Sequence, residues 1–189
     1  IPAGTCIEVR DLFYNTPVRL KFLKTRRTET SRVMEVVRHM ALVHPHVAFS
    51  LYREGVEVLS CPHGQQEKER IQSIFAKLTL YPISHAVGAV RVHGMLGAPS
   101  ESRKGTSGLV IVVNRRVVVE RSVAGALAAG HEGLLPAGRY PQGVIFIEMP
   151  GQQVDVNVHP QKSQVRFAEP RDVTGAVYRA ASAWARTTP

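Results

Sequence analysis

Leu109-Val110-Ile111-Val112-Val113 constrains this chain more than any other segment: five apolar residues in a row, four of them β-branched, with no polar side to give to water. Such a run is consistent with a buried strand, and a buried strand needs partners for its backbone polar groups. Asn114-Arg115 interrupts the run and Val117–Val119 resumes it, so a partner strand is expected to return there, with its tip at the residues between.

Other segments supply the company such a strand needs. Thr5–Leu12 alternates Ile7 and Val9 with Glu8 and Arg10, a strand pattern that runs into a turn at Asn15-Thr16-Pro17. Val47–Tyr52 and Val56–Leu59 flank Arg53-Glu54-Gly55 as a β-hairpin, and Ala89–Leu96, Val144–Ile147 and Val154–Val158 read as further strands. In the last of these, Val154, Val156 and Val158 share one face; Pro160 ends it, and Val165 and Phe167 mark a short return. Helical spacing recurs over Thr28–His44 (Val33, Val36, Val37, Met40, Val43), at Ile71, Ile74, Phe75 and Leu78, after Ser122 (Val123, Leu127, Leu134), and from Asp172 onward (Val173, Val177, Ala180, Trp184). Strands and helices mix without strict alternation, which favours an α+β sandwich over a doubly wound parallel fold. At 189 residues the chain suits one domain, or one domain and a substantial piece of another, with the boundary expected in Cys61–Gln66.

Nothing here approaches the ~20 apolar residues of a membrane span. The start, Ile1-Pro2-Ala3-Gly4, has neither the features of a signal peptide nor an initiator Met, and an excised fragment is expected. Cys6 and Cys61 follow no metal or redox spacing, which fits a reducing, cytosolic compartment and two buried thiols. Lys and Arg exceed Asp and Glu by 24 − 15 = +9, with a pI near 10.1, so a polyanion is expected as partner, nucleic acid before membrane.

Three basic features stand out. Arg19, Lys21, Lys24, Arg26, Arg27 and Arg32 crowd between Pro17 and Arg32 against Glu29 alone, in what reads as a connecting segment. Arg115 and Arg116 sit at a hairpin tip, free to reach a groove or a phosphate. Lys162 follows the end of the Val154–Val158 strand, where its ammonium could meet a phosphate as a point charge. Each has a plainer reading as solvated surface, and charge alone does not decide between the two. His159, and the set His39, His44 and His46, lack the ligand spacing of a metal site and read as structural. No G-x-S-x-G, P-loop or HExxH is present.

Two long stretches go beyond composition. Gly4-Thr5, then Asp11-Leu12-Phe13-Tyr14-Asn15-Thr16-Pro17 with Lys21-Phe22-Leu23, closely resembles the DLFYNTP-x-R-x-KFL signature of the MutL family of DNA mismatch repair proteins. Val113-Asn114-x-Arg116 and Val154-Asp155-Val156-Asn157-Val158-His159-Pro160-x-Lys162, with Val165-Arg166-Phe167, match the same family in the same order. The resemblance spans nearly the whole chain.

It implies membership of the GHKL ATPases, alongside gyrase B, in which a nucleotide-binding domain precedes a β-α-β transducer and ATP closes the dimer. Residues 1–64 are then expected to be the C-terminal part of the ATPase domain and residues 65–189 the transducer. The family's catalytic Glu, Mg-binding Asn, adenine-binding Asp and glycine-rich lid have no counterpart here. ATP and Mg are accordingly expected only in the full-length protein, and this fragment should be inactive alone and hold no metal. Thr5 matches the last nucleotide-binding motif and Lys162 the lysine that reaches the γ-phosphate, coupling nucleotide state to domain orientation. For DNA, the resemblance points to Arg116, Lys24 and Arg171, with Arg115, Arg19 and Lys21 behind them. Arg115 stands where relatives carry a turn Gly, which puts the turn type in question. The expected partners are DNA, a MutS-type mismatch recognition protein and a second copy in the full-length protein, in the cytoplasm of a bacterium. Two other readings stay open: an RNA-binding module of ribosomal-protein type, which would want exposed stacking aromatics where Phe13, Phe22 and Phe75 look core-bound, and a topoisomerase-type GHKL transducer.

Overall fold

Side chains alternate across a strand, so an unbroken apolar run stays dry only in a sheet covered on both faces. Residues 109–113 lie in such a sheet. The computed structural model describes residues 4–131, 133–158 and 164–187. The chain divides into two units, Ile1–Val36 and Val37–Pro189.

In the first unit, the strand expected over Thr5–Leu12 does not form. Alternation supplies no ladder by itself; the segment has no strand partner among the described residues, and Ile7 and Val9 are exposed. Two successive turns follow, closed by Tyr14 N–H to the Asp11 carbonyl and Thr16 N–H to the Phe13 carbonyl, both 3.0 Å. The basic stretch is not a connecting segment but two helices, α1 (Pro17–Phe22) and α2 (Arg26–Val43). Pro17 opens α1, where its missing N–H costs nothing. Thr25 caps α2, its Oγ1 accepting from Thr28 N–H at 3.3 Å. Phe22 is 74% exposed rather than core-bound, and Cys6 is exposed while Cys61 is buried.

In the second unit, β1 (Phe49–Arg53) and β2 (Val56–Cys61) form a hairpin that turns at Glu54-Gly55, followed by α3 (Glu67–Ile74) with a Gln66/Glu69 capping box. Then come β3 (Leu80–Val87), β4 (Val90–Gly97), β5 (Arg103–Lys104), β6 (Leu109–Val113), β7 (Arg116–Val118), α4 (Arg121–Gly130), β8 (Arg139–Tyr140), β9 (Gly143–Glu148), β10 (Val154–Asp155), β11 (Arg166–Phe167) and α5 (Pro170–Thr187). The main sheet has the order β3-β4-β9-β6-β7. Its β6–β9 pair is parallel and the other pairs antiparallel, so the crossover through α4 is a β-α-β unit. One face buries Ile111, Val113, Ile145 and Ile147 against Val123 and Leu127 of α4 and Val177 and Trp184 of α5. The other face buries Val112, Val144 and Phe146 with Leu42, Leu59 and Ile71. That double cover is why β6 carries no polar residue, and it confirms the α+β class.

Glycine decides how closely β4 and β9 approach. A Cβ on Gly94 would lie 2.2 Å from the Val144 carbonyl oxygen, and one on Gly143 2.2 Å from that of Met95. On α3, the buried Arg70 donates through Nη2 to the carbonyls of Pro45 (2.8 Å), Val47 and Pro62 (both 2.9 Å), fastening the hairpin's flanking loops to the helix. Beside it, burial pushes the Cys61 thiol up, opposed by the Arg70 charge.

Some expectations need correction. β3 escapes sequence reading because Pro82 sits in it, which an edge strand tolerates. β10 ends at Asp155 because its Oδ1 accepts from Asn157 N–H at 2.8 Å, bending the chain where Val154–Val158 was expected to run straight. Leu134 lies beyond α4 and is exposed.

Candidate nucleic-acid interface

The hairpin tip between β6 and β7 is built from the end of the most buried strand. Val113 pairs with Arg116, leaving Asn114 and Arg115 as a two-residue turn with φ of 45° and 65°. Positive φ at both positions has the form of a type I′ turn, which suits the twist of a hairpin and accepts Asn readily. Arg there carries a steric cost, and Asn114 shows what holds it. Asn114 N–H bonds to the Ile147 carbonyl at 3.0 Å. Its side-chain Nδ2 donates to the Met149 carbonyl at 2.9 Å, while its Oδ1 accepts from Met149 N–H at 3.0 Å. The side chain thus continues the β6–β9 ladder beyond the last strand residue, pinning the tip to the sheet.

Arg115 and Arg116 are both exposed, and neither has a carboxylate partner among the described residues. From Met149 the chain passes through a short turn at Gly151–Gln153 into β10, which pairs with β11, and α5 begins three residues after Phe167. Arg171 is exposed in the first turn of α5. Arg19, Lys21 and Lys24 belong to the first unit, and all three are exposed. Glu29, the lone acid of that stretch, is engaged locally by Lys24 N–H at 2.9 Å and Arg32 at 3.1 Å. Arg19, Lys21 and Lys24 form no ion pair among the described residues.

Lys162, with His159, lies outside the described residues. Thr5 is exposed in a segment without regular secondary structure, and a Cβ on the preceding Gly4 would find nothing within 4 Å. A hydroxyl and an ammonium suit phosphate oxygens. However, no group of three or more His, Cys, Asp or Glu among the described residues could hold a metal.

Sequence reasoning missed a cavity of about 420 Å³ beside the tip. Leu42, Val112 and Phe146 line its floor, and Arg115, Glu67 and Glu148 its polar wall. Next to that wall, His93 Nε2 lies 3.3 and 3.4 Å from the two Glu67 oxygens, and its ring stacks on Phe146 at 5.1 Å. The bond to Glu67 raises the His93 pKa against the opposing effect of burial, with Glu148 adding and Arg91 subtracting. These groups come from segments far apart in the chain, and no spacing announces them.

Residues 70–184 match the family model described as DNA mismatch repair protein, C-terminal domain. The DNA mismatch repair protein MutL of Anaeromyxobacter dehalogenans strain 2CP-1 is 42% identical over 191 residues, covering 100% of this chain and 32% of that protein. The MutL of Symbiobacterium thermophilum is 40% identical, covering 95% of this chain and 29% of its own length. The chain thus spans about a third of the length of such relatives. Among solved structures, the Aquifex aeolicus MutL ATPase domain complexed with ADP aligns with a TM-score of 0.59 at 27% identity, over 75% of this chain and 51% of that one. The N-terminal domain of a DNA repair protein aligns with a TM-score of 0.74 at 21% identity, over 92% and 59%, a likeness of fold.

Proposed function

Because the chain belongs to the MutL family of DNA mismatch repair proteins, we propose that it is the part of a mismatch repair ATPase that grips the DNA backbone and relays nucleotide state. The observation that carries the DNA reading is the pinned hairpin tip. Asn114 pins to the sheet the turn that carries two exposed guanidinium groups, neither with a carboxylate partner among the described residues, and a held turn is what a backbone contact needs to set register. No base-reading element is required, because phosphate contacts supply affinity without sequence. Arg116 and Arg115 lead, Arg171 adds charge from the first turn of α5, and Lys24, Lys21 and Arg19 add charge from the first unit.

In the longer protein, residues 1–64 complete the ATPase domain and residues 65–189 form the transducer. Thr5 and Lys162 are this chain's share of the ATP contacts, and Mg is held elsewhere. ATP then closes a homodimer that recruits a MutS-type partner in the bacterial cytoplasm. In that longer protein Lys162→Ala should lower ATP turnover while leaving the melting temperature unchanged; unaltered turnover removes Lys162 from the phosphate role.

The DNA reading is tested by anisotropy with labelled duplex and single strands over graded salt. Arg116→Glu should weaken duplex binding and reduce the log–log salt slope by about 1. Unchanged affinity and slope would take the hairpin out of the DNA site. Single strands belong in the assay because Tyr14, Phe22 and Tyr52 expose rings on which bases could stack.

A further inference from the structure

Helix α5 has a second face that its role in the core leaves unused. With about 100° per residue and Arg171 set at zero, the buried Val173, Ala176, Val177, Ala180, Ala181 and Trp184 fall between about 140° and 280° around the axis. Arg186 and Arg179 fall at about 60° and 80°, so with Arg171 the three arginines point away from the sheet. All three are exposed, and none has a carboxylate partner among the described residues. Asp172 is the one acid on the exposed side of α5, about 10 Å along the axis from Arg179. The residue between Arg171 and Arg179 in the same sector is Gly175, which adds no bulk.

We propose that the outer face of α5 is a DNA-backbone rail, Arg171–Arg179–Arg186. The inference rests on the DNA reading above and extends it to Arg179 and Arg186. Arg171 to Arg179 spans about 12 Å along the axis and Arg179 to Arg186 about 10 Å. Those separations let each arginine meet a separate phosphate of an extended polyanion. Guanidinium forks match phosphate oxygens in pairs, which a lysine row would not do. A bilayer is the poorer partner, because surface-lying helices insert an apolar face and that of α5 is already buried in the core.

The test compares Arg179→Gln/Arg186→Gln with Arg116→Glu in this chain, by duplex anisotropy across graded salt. Thermal melts should match the parent, since both arginines are exposed. Each lost phosphate contact should lower the log–log slope by about 0.9, and affinity by about eightfold near 0.1 M salt. The double variant is therefore expected to bind about sixtyfold more weakly, with a slope lower by about 1.8. Arg179→Lys/Arg186→Lys should keep most of the slope. If Arg116→Glu weakens binding while the glutamine pair leaves affinity and slope unchanged, the rail is wrong and the DNA reading stands. If neither variant weakens binding, both fall. Loss of binding to phosphatidylserine vesicles with DNA binding intact would make the face a lipid contact and overturn the proposal.

Discussion

Replacing Asn114 separates the two things its side chain does. In Asn114→Ala the turn keeps a φ of 45° with a side chain poorly suited to it, and Met149 loses a donor and an acceptor. Each hydrogen bond contributes about 1 kcal/mol net, and the buried position of Met149 puts the loss toward the upper end of the range. The left-handed backbone adds roughly 1 kcal/mol for a residue without the local bonding of Asn. Asn114→Ala should thus cost about 3 kcal/mol. Asn114→Gly accepts the backbone freely and loses only the clamp, for about 2 kcal/mol. Urea unfolding followed by circular dichroism, with unchanged m-values, reads both. The functional corollary is that Asn114→Gly also loosens Arg115 and Arg116, so duplex affinity should fall although no charge is lost. Costs under 0.5 kcal/mol for both variants would refute the idea that this side chain serves as an extra rung of the β6–β9 ladder, and glycine as damaging as alanine would refute the share assigned to the left-handed backbone.

Gly94→Ala should be among the most damaging single changes, because the new Cβ meets the Val144 carbonyl oxygen at 2.2 Å at a φ of 148°; a melting temperature near that of the parent would show that β4 and β9 can part there. The two buried or half-buried histidines should pull in opposite directions with pH. Burial lowers the His131 pKa, against the hydrogen bond that its Nδ1–H donates to the Leu127 carbonyl. Its contribution to stability is therefore full above the unfolded pKa near 6.5 and is lost as pH falls below that value. His93, raised by Glu67, contributes fully below about 6.5, and that contribution is lost as pH rises through its folded pKa. Melts from acid to mildly alkaline pH should show His131→Gln flattening the acid-side loss and His93→Gln the other; identical profiles for both variants would contradict these environments.

What could be read from the sequence follows how much of each signal is local. β6 was legible because both its faces are buried, and the inward stripe of α5 because Val173, Val177, Ala180 and Trp184 all face the core. α2 was legible in extent and not in burial. Its stripe of Val33, Val36 and Met40 is exposed, while Ala41 and Leu42 are buried, so position along the helix governs burial more than azimuth does. The arginines at the hairpin tip could be found by inspection, since a turn between two apolar runs needs no distant residue. What holds them could not, because the partner of Asn114 is Met149, 35 residues further on. The outer arginines of α5 are hidden in the sequence for a related reason. A helix carries two periodic messages at once, and the apolar one, being denser, hides a basic one of three residues until the structure shows which side is free.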